Sequence, residues 1–219
     1  MFSLAEVLFP SRCIGCSRLG ISICSDCRAK WHPHIYSREI QMLQKNYPVL
    51  SAIAYSPIAS RVLLSAKENQ IAAADLLIMQ GIKHALQLFI NRYGAGTLVS
   101  VPSRKSATRK RGRDFLREIT LNVAEELNLA TASPLSHRRK VKDQSQLNTE
   151  KRTQNVSGAF SVSAQIAALT AQGNNAPRII VIDDLITTGA TLTEAIRALQ
   201  AAGFNVLGAV TSCTAQPLR

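Results

Sequence analysis

The sequence predicts an α/β fold, a parallel sheet flanked by helices, with a small N-terminal cysteine knot beside it. Three observations carry this. Short apolar β-leaning runs recur along the chain, several of them continuously apolar as in a sheet covered on both faces. Between them lie stretches whose apolar residues recur at helical spacing, and strands alternating with helices define the class. Four of the five cysteines fall between Cys13 and Cys27, in a segment too small to fold alone.

In chain order, residues 1–37 form the knot and 38–219 the main domain, with a linker-like stretch containing Pro33 and Pro48. Leu50 to Tyr55 reads as a strand. Ile71, Ala74, Ile78, Ile82, Ala85, Leu86 and Phe89 then line one face of a helix. Thr97 to Val101 is a further strand, and Phe115, Ile119, Val123 and Leu127 mark a second amphipathic helix. Val156 to Val162, Arg178 to Ile182 and Asn205 to Val210 complete the strands. A helix holding Glu194, Ala195, Ile196, Ala198 and Leu199 separates the last two. Ala164 to Ala176, rich in Ala, Gln, Asn and Gly, reads as a polar surface connection.

With 219 residues, 46% hydrophobic and 18% charged, the chain fits one domain plus an appendage and is too apolar for a disordered protein. It contains no run of eighteen apolar residues. Met1 to Pro10 lacks the basic start, apolar middle and cleavage site of a secretory signal, so a cytoplasmic location is expected. The net charge of +12 points to anionic partners. Most of it lies in two runs. Arg104, Lys105, Arg109, Lys110, Arg111, Arg113 and Arg117 stand against Asp114 alone, and Arg138, Arg139, Lys140, Lys142, Lys151 and Arg152 against Asp143 and Glu150.

The most informative segment is Arg178 to Gly203. A buried strand ends in Asp183 and Asp184, a Thr/Gly loop follows, and then a helix. Thr187, Thr188, Gly189, Ala190 and Thr191 bring hydroxyls and backbone N–H groups to a helix N-terminus, where unpaired donors and the helix dipole favour a phosphate monoester. The two carboxylates accept hydrogen bonds from vicinal sugar hydroxyls and help hold Mg²⁺ through oxygen ligands. The parts fit a ribose 5-phosphate. Neither a Walker loop nor a dinucleotide fingerprint is present. The bland reading is a turn in which the Asp pair caps a helix.

This segment resembles the phosphoribosyl pyrophosphate signature of type I phosphoribosyltransferases. With Cys13 to Cys27, Val101-Pro102 to Gly112 and Gln146 to Phe160, the pattern is similar to that of the ComF family of competence-associated, phosphoribosyltransferase-like proteins, over almost the entire chain. The resemblance implies a type I phosphoribosyltransferase-like sheet. It implies a pyrophosphate site formed by Arg104 and Lys105 after the strand ending near Pro102, a closing loop at Lys140 to Arg152, and a role for Lys67 on the pyrophosphate. Lys67 stands here in Ala66-Lys67-Glu68, where relatives carry Leu-Lys-Tyr. At one place the sequence departs: Arg111-Gly112-Arg113-Asp114-Phe115 replaces Arg-Gly-Phe-Asn-Gln, on the side expected to shape the second-substrate site.

Cys13-x2-Cys16-x7-Cys24-x2-Cys27 sets two thiolate pairs on tight turns, a zinc-ribbon-like arrangement suited to a closed tetrahedral S₄ site for structural Zn²⁺. A redox dithiol is the competing reading, but it leaves the second pair unexplained. His32 and His34 are near enough in sequence to substitute as ligands, and Cys213 reads as a buried, inert thiol.

Two functions compete. One is an enzyme that transfers phosphoribosyl from phosphoribosyl pyrophosphate to a nitrogen acceptor, with Mg²⁺, using Asp183, Asp184, the loop Thr187 to Thr191, Arg104, Lys105 and Lys67. The other is a non-catalytic accessory to DNA uptake that keeps this site as a ligand sensor. It would bind single-stranded DNA through Arg109, Lys110, Arg111 and Arg113, more cations than one pyrophosphate uses. Aromatic residues make up 5% of the chain and only Phe115 falls within that run, so base stacking would be sparse.

Overall fold

The computed structural model describes residues 11–42, 45–138, 157–172 and 176–215, with 169–172 described by their backbone alone. In chain order its elements are α1 (Ser25–Lys30), β1 (Tyr36–Gln41), β2 (Asn46–Ala54), α2 (Pro57–Asn69), α3 (Ala72–Tyr93), β3 (Thr97–Ser100), α4 (Lys105–Arg111), α5 (Phe115–Glu126), β4 (Leu135–His137), β5 (Phe160–Val162), α6 (Ala164–Gln172), β6 (Arg178–Ile186), α7 (Ala190–Ala201) and β7 (Asn205–Thr214). The main sheet has the order β1-β2-β7-β6-β3, and β4 and β5 form a separate antiparallel pair.

The pairs β2–β7, β7–β6 and β6–β3 are parallel, as the apolar runs predict, while β1 joins the edge antiparallel. From β2 the chain crosses the sheet one way to β3, and from β6 it steps back the other way to β7. Right-handed crossovers therefore put α2 and α3 on one face and α7 on the opposite face. Ile179, Ile180, Val181 and Ile182, central in the sheet, are fully buried from both sides. The α3 helix, with Ala74, Ile78, Ile82, Ala85, Leu86 and Phe89 all buried, supplies the largest apolar stripe. Ile14 and Trp31 of the knot join the same core.

Several elements differ from the sequence expectation. Residues 36–41 form a strand, because alternation leaves Ile40 inward while Ser37, Glu39 and Gln41 face water, a pattern sufficient for an edge. Helix α2 begins where Ser56 Oγ accepts the Ala59 N–H at 3.1 Å and Pro57 occupies the first turn. The first half of the basic run is helical. Ala164 to Gln172 is a helix too, consistent with its Ala, Leu and Gln content. The strand expected over 156–162 covers Phe160–Val162, and residue 156 lies outside the described residues. So do Met1 to Pro10, the expected closing loop Lys140 to Arg152, and most of the Gln146 to Phe160 stretch. Among the described residues no helix is long and apolar enough to cross a membrane.

Candidate functional site

Strand β6 does not stop at the acid pair. It runs on to Ile186, because β7 extends far enough to pair Leu185 with Cys213 and Ile186 with Thr214. Asp183 and Asp184 therefore sit within the sheet, at 8% and 7% exposure. Asp183 is in register with Thr211, whose hydroxyl meets that of Ser51 at 2.6 Å. Asp184 forms an ion pair with Lys67 from the last turn of α2, and its N–H donates to Asp183 Oδ1 at 2.9 Å.

These interactions divide the roles of the two acids. Burial and the adjacent Asp184 push Asp183 well above the usual carboxylate range. Burial pushes Asp184 the same way, but the Lys67 ammonium outweighs it and holds this carboxyl below its ordinary value. Burial disfavours charge on Lys67, yet the attraction of Asp184 leaves it raised. The two carboxyls are thus driven apart, Asp184 toward the charged form and Asp183 toward the protonated one.

The Thr/Gly loop follows β6 directly. Gly189 has φ +84°, a conformation that glycine adopts without strain, and so turns the chain into α7. Ala190 N–H donates to Thr188 Oγ1 at 3.3 Å, while the N–H and hydroxyl of Thr193 bond the Gly189 carbonyl at 2.8 and 3.0 Å. A residue that sequence reasoning missed steadies this turn. Arg38 Nη1, from β1, donates to the Thr187 and Ala215 carbonyls, each at 3.0 Å, and to Thr214 Oγ1 at 3.4 Å. The missed signal was the alternation of Tyr36, Arg38 and Ile40.

On the other side of β6, Val101 N–H donates to the Ile182 carbonyl at 2.9 Å, so the chain leaves β3 beside the acid pair. Arg104 caps α4 and Lys105 opens it, exposed. The preceding Pro102 carbonyl bonds His137 Nε2 at 3.0 Å. Burial against β5, where the His137 ring lies 5.0 Å from that of Phe160, pushes the imidazole below its usual range. Lys67, Asp183, Asp184, residues 102–105 and the Thr187 to Thr191 loop are thereby tied to the C-terminal ends of β3 and β6.

The four cations expected on DNA are not alike. Arg109 and Lys110 are exposed, but Arg111 bonds Glu68 of α2 at 2.6 Å, and Lys110 approaches the same carboxylate at 3.8 Å. Arg113 grips Asp75 with two nitrogens at 2.7 and 2.8 Å, bonds the Ala66 carbonyl at 2.9 Å and reaches Glu118 at 3.3 Å. Its neighbour Asp114 accepts the Ser103 hydroxyl at 2.9 Å, and Phe115 is buried beneath the guanidinium. The sequence departure at 113–115 thus serves packing between α2, α3 and α5.

In the knot, the four sulfurs lie within 4.8 Å of one another, with Cys16 and Cys24 Sγ 3.6 Å apart. A tetrahedron with metal–sulfur bonds of about 2.3 Å has edges of about 3.8 Å, so the donor set fits Zn²⁺, and all four thiols are free of disulfides. Gly15 is required here, since a Cβ would come within 2.6 Å of Cys27 Sγ. Cys24 N–H points at Cys13 Sγ at 3.3 Å. Burial alone would raise Cys13, but the backbone N–H groups of Cys24, Cys16 and Gly15 bring it down to about 6. Burial and the neighbouring thiols push Cys27 up to about 12. His32 and His34 are outside the cluster: His32 bonds the Pro33 carbonyl and His34 packs on Tyr36. Cys213 is wholly buried, and burial pushes its thiol up to about 12.

No protein-family model and no curated protein matches the chain. Among solved structures it is similar to an adenine phosphoribosyltransferase, at 11% identity over 87% of this chain and 89% of that one, with a TM-score of 0.44. It is similar also to the adenine phosphoribosyltransferase of Saccharomyces cerevisiae, at 12% identity over 88% and 89%, with a TM-score of 0.42. Leishmania donovani UMP synthase is matched at 18% identity over 84% of this chain and 30% of that one, with a TM-score of 0.37.

Proposed function

We propose that the chain is a cytoplasmic protein that binds phosphoribosyl pyrophosphate with Mg²⁺ and transfers the phosphoribosyl group to a nitrogen nucleophile. The observation that carries this is a buried acid pair, one member held ionised by Lys67, followed directly by a Thr/Gly turn at the N-terminus of α7. The N–H groups and hydroxyls of Thr187 to Thr191 take the 5-phosphate. Asp183 and Asp184 take the ribose hydroxyls. Mg²⁺, when bound with the ligand, would supply charge neutralisation on the pyrophosphate. In the transfer the anomeric carbon loses its bond to a pyrophosphate oxygen and gains one to nitrogen. Pyrophosphate departs with the electron pair and the acceptor nitrogen releases a proton. Arg104 and Lys105 offset charge growing on the leaving group, so the protein acts through positioning and a preorganised field.

The experiment is a calorimetric titration with phosphoribosyl pyrophosphate and Mg²⁺, followed by a pyrophosphate-release screen over bases and amines. Asp183→Ala with Asp184→Ala should abolish binding in a protein that still folds and holds zinc, at a cost in stability because Lys67 loses its partner. Ordinary binding by that double variant, or none by the folded wild type, would overturn the reading.

The ComF resemblance and the exposed Lys105, Arg109 and Lys110 favour a second reading, a non-catalytic accessory to DNA uptake that handles single-stranded DNA and uses the same site as a sensor. Two results together would select it. One is ligand binding without pyrophosphate release. The other is DNA binding whose salt dependence flattens, in Arg109→Ala with Lys110→Ala, by about 0.7 for each phosphate no longer neutralised.

A further inference from the structure

The cysteine knot and the acid pair hold opposite ends of one helix. Near the start of α2, Ile58 packs against the cysteine cluster, and Arg61 Nη1 donates to the carbonyl of Gly15, between Cys13 and Cys16. Near its end, Lys67 pairs with Asp184. Arg61 and Lys67 are six residues apart, about 9 Å along the axis at 1.5 Å per residue. Between these ends Ala59, Val62, Leu63 and Ala66 are buried, which makes the helix one rigid body rather than two independent turns. The second half of α2 also carries the Ala66 carbonyl bonded by Arg113 and the Glu68 carboxylate bonded by Arg111, and Gln70, just past its end, donates to the Arg111 carbonyl at 2.7 Å.

Gly15 is where the state of the knot reaches α2. Its Cα lies so close to Cys27 that no side chain fits, and its carbonyl is the acceptor that Arg61 holds.

We propose that Arg61 is a positioning residue for the ligand site: with Ile58 it seats α2 on the closed knot, and the seated helix delivers Lys67 to Asp184. Metal binding at the knot and anion binding at the acid pair are then coupled. The inference rests on reading the acid pair and the Thr/Gly loop as the phosphoribosyl pyrophosphate site. A polyanion approaching two adjacent buried carboxylates binds better when the Lys67 ammonium is in place.

The test titrates phosphoribosyl pyrophosphate with Mg²⁺ into zinc-loaded wild type, reduced zinc-stripped wild type, Arg61→Met and Lys67→Met. Stripping zinc should weaken binding on the order of tenfold, within the usual range for coupled sites. Arg61→Met, with zinc still bound, should weaken it several-fold. In a Lys67→Met background neither change should have much further effect. Reciprocally, the ligand should tighten zinc retention against a chelator by the same factor that zinc tightens ligand binding. Arg18→Ala, on the exposed face of the knot beside Asp26, should change none of these. Additive losses from Arg61→Met and Lys67→Met, or zinc retention indifferent to ligand, would overturn the coupling. Hydrogen exchange without ligand separates the two ideas. Stripping zinc, or Arg61→Met, should speed exchange in the second half of α2, and unchanged exchange there overturns the coupling. Faster exchange in a protein that binds no phosphoribosyl pyrophosphate upholds the link from knot to Lys67 through α2 and overturns the ligand reading alone.

Discussion

Arg113→Met should destabilise the fold by about 3 kcal/mol. The guanidinium makes two parallel bonds to Asp75, at 2.7 and 2.8 Å, and a third to the Ala66 carbonyl at 2.9 Å. Its side chain is 18% exposed and that of Asp75 23%. Breaking a fully buried ion pair on one side costs about 3–5 kcal/mol, and an exposed pair is worth about 1 kcal/mol or less. This pair lies nearer the buried limit, and methionine keeps the apolar stem over Phe115, so the loss falls at the lower end of the buried range. Urea unfolding followed through Trp31, the only tryptophan and buried in the core, measures it: the midpoint should fall by more than about 1 M at an unchanged slope. Arg109→Ala, on an exposed side chain, should stay within about 0.5 kcal/mol of wild type. Adding Asp75→Asn to Arg113→Met should recover part of the loss by removing the stranded carboxylate. An Arg113→Met variant as stable as Arg109→Ala would refute the reasoning and return Arg113 to the cations available for DNA.

Metal analysis of freshly reduced protein should find one Zn²⁺ per chain, and zinc-free native protein or a disulfide within the knot would refute the site. Glu194 is buried, which alone would raise its carboxyl, but the two bonds from Arg197 and the Phe160 N–H hold it below the ordinary 4.5. The unfolded chain therefore takes up this proton first, so the stability it contributes is full above 4.5 and is lost as pH falls through the lowered folded value. Glu194→Gln should flatten that acid limb in denaturant titrations on either side of 4.5. Arg38→Met should weaken ribose 5-phosphate binding by about tenfold, the equivalent of its one charged hydrogen bond to the loop, with inorganic pyrophosphate much less affected. Equal losses for both ligands would mean that Arg38 supports the sheet rather than the loop.

The strands and helices legible in the sequence are those whose burial is complete on a stripe or on both faces. Ile179 to Ile182 and the apolar face of α3 announce themselves because every inward position is filled. Elements with half-polar inward faces were harder to read. β1 buries only Ile40, and α4 buries nothing, so neither has an apolar period to detect. Helix α2 was legible in principle through Ser56 and Pro57, but its buried stripe of Ala59, Val62, Leu63 and Ala66 is half alanine and so only weakly apolar. β6 outran its expected end because the continuation depends on Cys213 and Thr214 in the neighbouring strand.

The site divides along the same line, between what is contiguous in sequence and what topology assembles. The acid pair, the Thr/Gly loop and the four cysteines are local motifs, and each lies where its spacing requires. The partners that set their charge are remote: Lys67 reaches Asp184 across 117 positions, and Arg38 reaches Thr187 across 149. The basic run shows why a linear count misleads. From Pro102 to Arg117 it sets seven cations against Asp114, yet among the described residues Glu68, Asp75 and Glu118 also pack against it from α2, α3 and α5. Arg111 and Arg113 are occupied by those acids, whereas Lys105, Arg109, Lys110 and Arg117 face solvent. Charge on this face is most accessible to an anion at the solvent-facing members, while Arg111 and Arg113 hold helices together.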